Sequence, residues 1–200
     1  SQDIPVFVAG STRSGEESIL FDAFKMVLPE FPEAIMIIAP RHIRRIPLIQ
    51  KIAREKGFKD YQLWSKIKKG DRERKSSLIL IDTFGDLFKI YSIAWIVFCG
   101  GSLVPLGGQN PMEPVAWGKF VLYGPSMEDF RDAKACIEDA CAGKEINDHY
   151  MLARELIRAF KTPHFLEKAR ENAIMALSSH RGAAQRHARL VAENIKGISY

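Results

Sequence analysis

Cysteine is scarce in this 200-residue chain: Cys99, Cys136 and Cys141 are the three, with no CxxC pair and no even framework. A disulfide scaffold is therefore not expected, and a reduced, cytosolic setting is. The histidines at 42, 149, 164, 180 and 187 are scattered, without H-E-x-x-H or a Cys/His spacing for zinc. Also missing are G-x-G-x-x-G after the first strand and G-x-x-x-x-G-K-[ST], so neither a dinucleotide fingerprint nor a P-loop is supported. No charge appears from Ile90 through Met112, a length that would cross a bilayer. Gly100, Gly101, Pro105, Gly107, Gly108 and Pro111 interrupt the second half of that window, which leaves a continuous apolar run suited to a core strand. The opening SQDIPVFVAG runs straight into a strand pattern without a signal peptide. Starting so abruptly, without Met, the chain is expected to be a piece of a longer protein. Internal repeats and low-complexity segments are lacking too.

What is present is a core-forming composition, 46% hydrophobic, with a mild net charge of +5. That charge suits an acidic ligand, an anionic lipid surface or a partner domain, and gives no argument for nucleic acid. Unalternating apolar runs at Pro5–Ala9, Ala34–Ala39, Phe58–Leu63, Leu78–Asp82, Trp95–Cys99 and Phe120–Tyr123 read as strands covered on both faces. Helical patterns lie between them, at Glu16–Leu28, Arg44–Glu55, Asp86–Ser92, Glu113–Trp117 and Asp129–Ala142. The alternation predicts an α/β fold, a Rossmann-like parallel sheet with helices on both faces. From about Tyr150 the strands stop, and Met151–Lys161, Pro163–Leu177 and Gly182–Ile195 read as a helical tail. The expected organisation is one domain, with an α/β core over about 1–148 and C-terminal helices over 149–200. The region WSKIKKGDRERKSS, 64–77, is the expected exposed loop, with a basic run at Lys66–Lys75.

Ligands of open parallel sheets sit beyond the carboxyl ends of the strands, so the loops that follow strands carry the chemistry. GSTRSGEE, 10–17, sets small residues before a helix, with Ser14 and Glu17 at capping-box spacing. It reads either as an anion site or as an ordinary cap. In PRH, 40–42, the proline stiffens the strand exit and aims Arg41, a fork suited to phosphate or carboxylate. DTFGDLF, 82–88, repeats the capping-box spacing at Thr83 and Asp86, Gly85 lets backbone approach a ligand, and Asp86 reads as a helix cap more readily than as a ligand contact. In GGSLVPLGGQNPMEP, 100–114, Asn110, Pro111 and Glu113 suit a cap, first-turn and third helical position. Capping leaves the four upstream glycines unexplained. They make sense if the chain lies flat against a ligand or another backbone, with Glu113 placed to accept from a ribose diol.

Taken in order, STRSGEE, PRH, DTFGDL, YSIAWIVFCGGSLVPLGGQNPMEP, VLYGP and DFR (Asp129–Arg131) resemble the C-terminal half of bacterial 3-deoxy-D-manno-octulosonic acid (Kdo) transferases. The resemblance covers roughly residues 5–140, and RGAAQRH, 181–187, resembles that family's last helix. Arg13 and Gln109 stand where the family usually has His, and Asp86 where Glu is usual. Gln109 keeps hydrogen bonding but carries no proton.

The resemblance implies the nucleotide-donor half of a GT-B glycosyltransferase. Such an enzyme moves Kdo from CMP-Kdo to a lipid A precursor with inversion, in lipopolysaccharide biosynthesis. No metal is required and no other cofactor is expected. CMP contacts carry over to Pro40 and Arg41, to Phe84, Gly85 and Asp86, and to Asn110, Pro111, Met112 and Glu113. Further donor contacts are expected at Ser11, Thr12, Arg13, Gly107, Gly108 and Gln109, whereas Glu16 and Glu17 are expected to be structural. The general base and the acceptor site are expected in an N-terminal half outside this sequence. The whole protein is expected at the cytoplasmic face of the bacterial inner membrane, with no nucleic-acid partner. Two alternatives predict other outcomes: a GT-B domain for a UDP- or GDP-sugar, and a non-enzymatic binding module.

Overall fold

A computed structural model describes residues 4–70, 76–162 and 164–178. Seven strands form one parallel sheet: β1 (Val6–Thr12), β2 (Ile35–Pro40), β3 (Gln62–Leu63), β4 (Leu78–Leu80), β5 (Ile96–Cys99), β6 (Phe120–Tyr123) and β7 (Gly143–Glu145). Their spatial order is β3-β4-β2-β1-β5-β6-β7, so the chain winds outward to one side of β1 and then to the other. The reversal falls between β1 and β5, which opens a crevice at their carboxyl ends. Between the strands run α1 (Glu16–Val27), α2 (Ile46–Glu55), α3 (Trp64–Lys68), α4 (Leu87–Ile90), α5 (Met112–Val115), α6 (Arg131–Asp139) and α7 (His149–Lys161). A further helix, α8, covers 164–178.

The lack of alternation in the strands has its cause in the packing. Phe7 and Ala9 of β1, Met36 and Ile38 of β2 and Phe98 of β5 face one buried cluster with Leu20 and Phe21 of α1 and Leu156 of α7. The intervening Val6, Val8, Ile37 and Val97 face a second cluster with Ile90 and Tyr91. Both faces of each central strand are dry, so both sets of side chains are apolar.

Several expectations need correction. β7 follows directly on the expected Asp129–Ala142 helix, where no strand was expected; its GKE sequence is half-buried at an edge, where charged residues are tolerated. The β3 region pairs over two residues only, and α3 occupies Trp64–Lys68 within the expected loop. The rest of that loop, 71–75, and the proposed helix at Gly182–Ile195 lie outside the described residues. The Ser14–Glu17 capping box does not form: Gly15 takes the cap position at φ 99°, and no side chain caps there. At α4 the cap residue is Asp86, and Thr83 donates to its carboxylate instead of to the helix backbone. Helix α5 starts at Met112, one residue before the expected Glu113, and its cap is Pro111 where Asn110 was expected; Asn110 Oδ1 still accepts from Met112 N at 3.0 Å.

Candidate ligand site at the carboxyl edge of the sheet

Four strand exits converge on one hollow of ≈ 270 Å³. Ser11 comes from β1, Pro40 and Arg41 from the end of β2, Thr83, Phe84 and Gly85 from the loop after β4, and Glu113 from α5. Ala39 and Ile81 supply apolar lining. Arg41 N donates to the Thr12 carbonyl at 3.0 Å, which stitches the first two loops together. Ser11 holds φ 54°, a left-handed conformation seldom used by residues other than glycine, at the point where the β1–β2 register shifts. A bulge of this kind re-aims a side chain at a sheet rim. Phe84 is 81% exposed, an apolar ring left in water beside the hollow.

Arg41 and Glu113 thus line the same space. Burial pushes the Glu113 carboxyl above its usual pKa, and the Arg41 guanidinium pulls it partly back. The pair gives the hollow a carboxylate acceptor and a cationic fork on apolar walls, a set suited to a polar, anionic small molecule. A larger hollow, ≈ 870 Å³, opens at the opposite end of the sheet beside Lys25, Ala34, Phe58 and Ser77. It lies where strands begin, and the switch-point rule favours the smaller one.

The glycine loop does something other than expected. Its amides are filled by a side chain of the same molecule: the fully buried Glu16 carboxylate accepts from Gly101 N (2.8 Å), Ser102 N (3.0 Å) and Leu103 N (3.0 Å). It also accepts from Arg13 N at 2.8 Å. Burial raises the Glu16 pKa, and those four backbone donors oppose the rise. Gly100 lies against protein backbone, where a Cβ would meet the Ser11 carbonyl oxygen at 2.5 Å. At Gly108, φ is 81° and a Cβ would lie 2.4 Å from Met127 Sδ. The loop packs on its own chain, and Glu16 plays the part expected of a bound anion.

The other expected contacts are occupied within the fold. Thr12 is buried and donates to Glu17 Oε1 at 2.8 Å, and Glu17 takes Arg45 by two bonds, at 2.5 and 2.8 Å. Gly107 N donates to Ser126 Oγ at 2.9 Å, and Gly108 N to the Gly101 carbonyl at 2.9 Å. Gln109 Nε2 donates to the Gly108 carbonyl at 2.8 Å, while its own carbonyl accepts from Cys99 Sγ at 3.1 Å. Asp86 accepts from Thr83 and from Lys68 Nζ (3.0 Å), bonds that hold its carboxyl below the usual range. Pro111 and Met112 are buried, and Asn110 spends its side-chain oxygen on the helix. Arg13 Nη1 pairs with His42 Nε2 at 3.0 Å beside the hollow. Sequence reasoning passed over His42, although it directly follows Pro-Arg. It set Glu16 aside as structural without finding its partners, and a lone acid facing an amide-rich glycine loop was the available signal.

Among the described residues no group of three or more His, Cys, Asp or Glu is arranged to hold a metal ion. No helix among them is long and apolar enough to cross a membrane.

No family model matches the chain. Individual proteins do. A 3-deoxy-D-manno-octulosonic acid transferase of Aquifex aeolicus is 35% identical over 167 residues, 82% of this chain and 45% of that protein. One of Haemophilus influenzae is 28% identical over 189 residues, 92% of this chain and 43% of that protein. A bifunctional glycosyltransferase/methyltransferase of Fusobacterium nucleatum is 35% identical over 160 residues, 80% of this chain and 24% of that protein. The chain therefore spans less than half the length of each of these relatives. Among solved structures, the C-terminal CMP-Kdo binding domain of WaaA from Acinetobacter baumannii superposes with a TM-score of 0.80 at 22% identity, covering 88% of this chain and 90% of that one. A C-terminal domain of a group 1 glycosyl transferase from Francisella tularensis gives 0.60 at 16% identity, covering 89% and 88%. The fold is the Rossmann-like α/β fold of GT-B glycosyltransferase domains.

Proposed function

We propose, from the premise that this chain is a homologue of the 3-deoxy-D-manno-octulosonic acid transferases, that it is the donor-binding domain of an inverting Kdo transferase. CMP-Kdo is its donor and a lipid A precursor the acceptor of the whole protein, which works at the inner-membrane surface in lipopolysaccharide biosynthesis. The observation that carries this reading is the juxtaposition of Arg41 and Glu113 in one hollow at the switch point of the sheet. Arg41 holds the phosphate, Glu113 accepts from the ribose diol, and the Phe84–Gly85 backbone meets the base. Charge developing on the departing CMP phosphate is stabilised by Arg41, which lowers the barrier to transfer. Acceptor site and general base are supplied from sequence outside these 200 residues. Of the earlier contacts, Asp86, Asn110, Pro111 and Met112 act as supports of the hollow, and Gly107, Gly108 and Gln109 as supports of the glycine loop.

Titration with CMP and with UDP, followed by amide shifts, tests the reading. CMP is expected to shift Arg41, Gly85 and Glu113 and to bind more tightly than UDP. Glu113→Ala is expected to weaken CMP by about 1–3 kcal/mol with the fold intact. Preference for UDP would point to another GT-B donor, and indifference to both nucleotides would favour a binding module.

A further inference from the structure

We propose that a groove between α8 and the loop entering β6 binds a single-chain anionic amphiphile, an aliphatic chain bearing a carboxylate or phosphate head. The groove encloses ≈ 580 Å³ and shares no lining residue with the hollow at the carboxyl edge. Trp95 directly precedes β5 and Lys119 directly precedes β6, so it opens at the amino end of those strands. Its walls are apolar, with Trp95 and Trp117 on one side and Leu166 and Ile174 of α8 on the other. Trp117 and Ile174 are large side chains left in water there, at 40% and 58% exposure. Trp117 packs on Phe88, at 5.5 Å between ring centroids. Small-ligand sites have this size and this make-up, apolar surface with a few polar groups set into it.

The polar groups here are two cations. Leu166, Arg170 and Ile174 recur at i, i+4 and i+8, so one stripe of α8 faces the groove with the guanidinium between two aliphatic side chains. Gly118, at φ 69°, leaves room for the Arg170 stem; a Cβ there would lie 2.9 Å from Arg170 Cγ. That close approach sets Arg170 beside Lys119. No acid lines the groove among the described residues. Of the acids on α8, Glu167 pairs with His164 at 3.3 Å and Glu171 with Lys168 at 2.9 Å. Neither Lys119 nor Arg170 has an acidic partner among the described residues. Burial, and after it the Arg170 guanidinium, hold the Lys119 ammonium below its usual pKa. Two neighbouring like charges, one of them half-buried, are unfavourable until an anion joins them. A bare anion gains nothing from the apolar walls, and a neutral chain gains nothing from the cations. The pair of features selects a ligand that has both. Residues 179–200 carry Arg181, Arg186, Arg189 and Lys196 against one acid, Glu193, so charge complementarity favours an external anion over the chain's own continuation.

The test titrates the 200-residue chain with decanoate and decyl phosphate below their micelle-forming concentrations. Decanol, decyltrimethylammonium, acetate and inorganic phosphate are the matched controls. Tryptophan fluorescence and the amide signals of Gly118 and Lys119 follow binding. Saturable binding of an anionic amphiphile is expected, the tighter of the two naming the head group, with decanol and acetate about tenfold weaker. Lys119→Gln/Arg170→Gln is expected to weaken the anionic amphiphile about tenfold and decanol less than twofold, whereas Ile174→Gln weakens both. Should the double variant fail to fold, Arg170→Gln alone, at an exposed position, carries the same comparison. Equal affinity for decyltrimethylammonium, acetate or inorganic phosphate overturns the proposal, as does no binding of either anionic amphiphile. Competition by CMP would move the ligand to the hollow and overturn it too. A fluorescence change that follows protein concentration, with a dimer in sedimentation, would make a second copy the occupant and overturn it likewise. The donor reading is not used: should CMP fail to bind, decanoate against decanol still decides the groove.

Discussion

Glu113 carries a cost that its neighbours do not remove. It is half-buried at the hollow, and desolvation outweighs the pull of Arg41, so its pKa stands above the usual 4.5. A carboxyl whose folded pKa is raised binds its proton more tightly in the native state. The protein therefore loses stability as pH rises from the unfolded value through the raised one, and the loss is complete above the raised pKa. Glu113→Gln is expected to raise the unfolding midpoint at neutral pH and to weaken CMP there. As pH falls through the raised pKa, the wild-type advantage in CMP affinity should close, because a protonated carboxyl accepts poorly from a diol. Comparing the two proteins at each pH isolates Glu113 from the titration of CMP itself. A variant that is less stable at neutral pH, or an affinity gap independent of pH, would remove the acceptor role. Glu16 shifts in the same direction, raised by burial, but four backbone donors oppose the rise where Glu113 has only Arg41. It was legible only as a helix-start acid, since its three partners in the glycine loop lie 85–87 residues away in sequence.

At the scale of elements, the glycine loop and the start of α1 form one unit. Glu16 satisfies three consecutive loop amides, and Gly100 lets the loop settle on the β1 exit. Glu16→Gln turns an amide donor toward backbone donors and is expected to cost about 2–3 kcal/mol. Gly100→Ala should cost about as much, because both sides of the 2.5 Å contact are backbone. Gly57 serves as control: at φ 93° with open space around its Cβ, Gly57→Ala should cost about 1 kcal/mol. Chemical denaturation of the three variants measures this, and equal costs would mean that the loop is not pinned. Capping boxes misled the sequence reading at Ser14 and Thr83, because the spacing of two residue types cannot say whether their side chains turn to the helix or to a distant loop. The six strands were legible from unalternating apolar runs, whereas β7 and α3, short and half-exposed, had no such pattern to read.

For the whole molecule, α7 packs in the same buried cluster as α1, with Leu152, Leu156 and Phe160 among its residues. Phe160 meets Phe31 and Trp95 edge-on, at 5.3 and 5.9 Å between ring centroids. We propose that the 149–161 helix is part of the folding unit that begins at β1, and that the division near residue 148 is one of composition. Leu156→Ala is expected to cost about 3 kcal/mol and to lower the midpoint of a single transition. Two separate transitions, with the sheet unmoved by the substitution, would make the helical tail an independent unit. α8 continues the contact, with Ala169 in the α1 cluster and Ala173 and Ala176 in the one beneath β6.

The parallel sheet, its apolar strands and the loops that line the hollow were determined by the sequence alone. A strand buried on both faces must be apolar throughout, and a chain that alternates such strands with helices has few ways to bury them. Which groups meet within that frame was decided by tertiary structure. Pro40, Arg41, Phe84, Gly85 and Glu113 come together from three loops, Glu16 fills the glycine loop, and His42 meets Arg13. Those meetings depend on distances between strand ends, and local pattern carries no record of them.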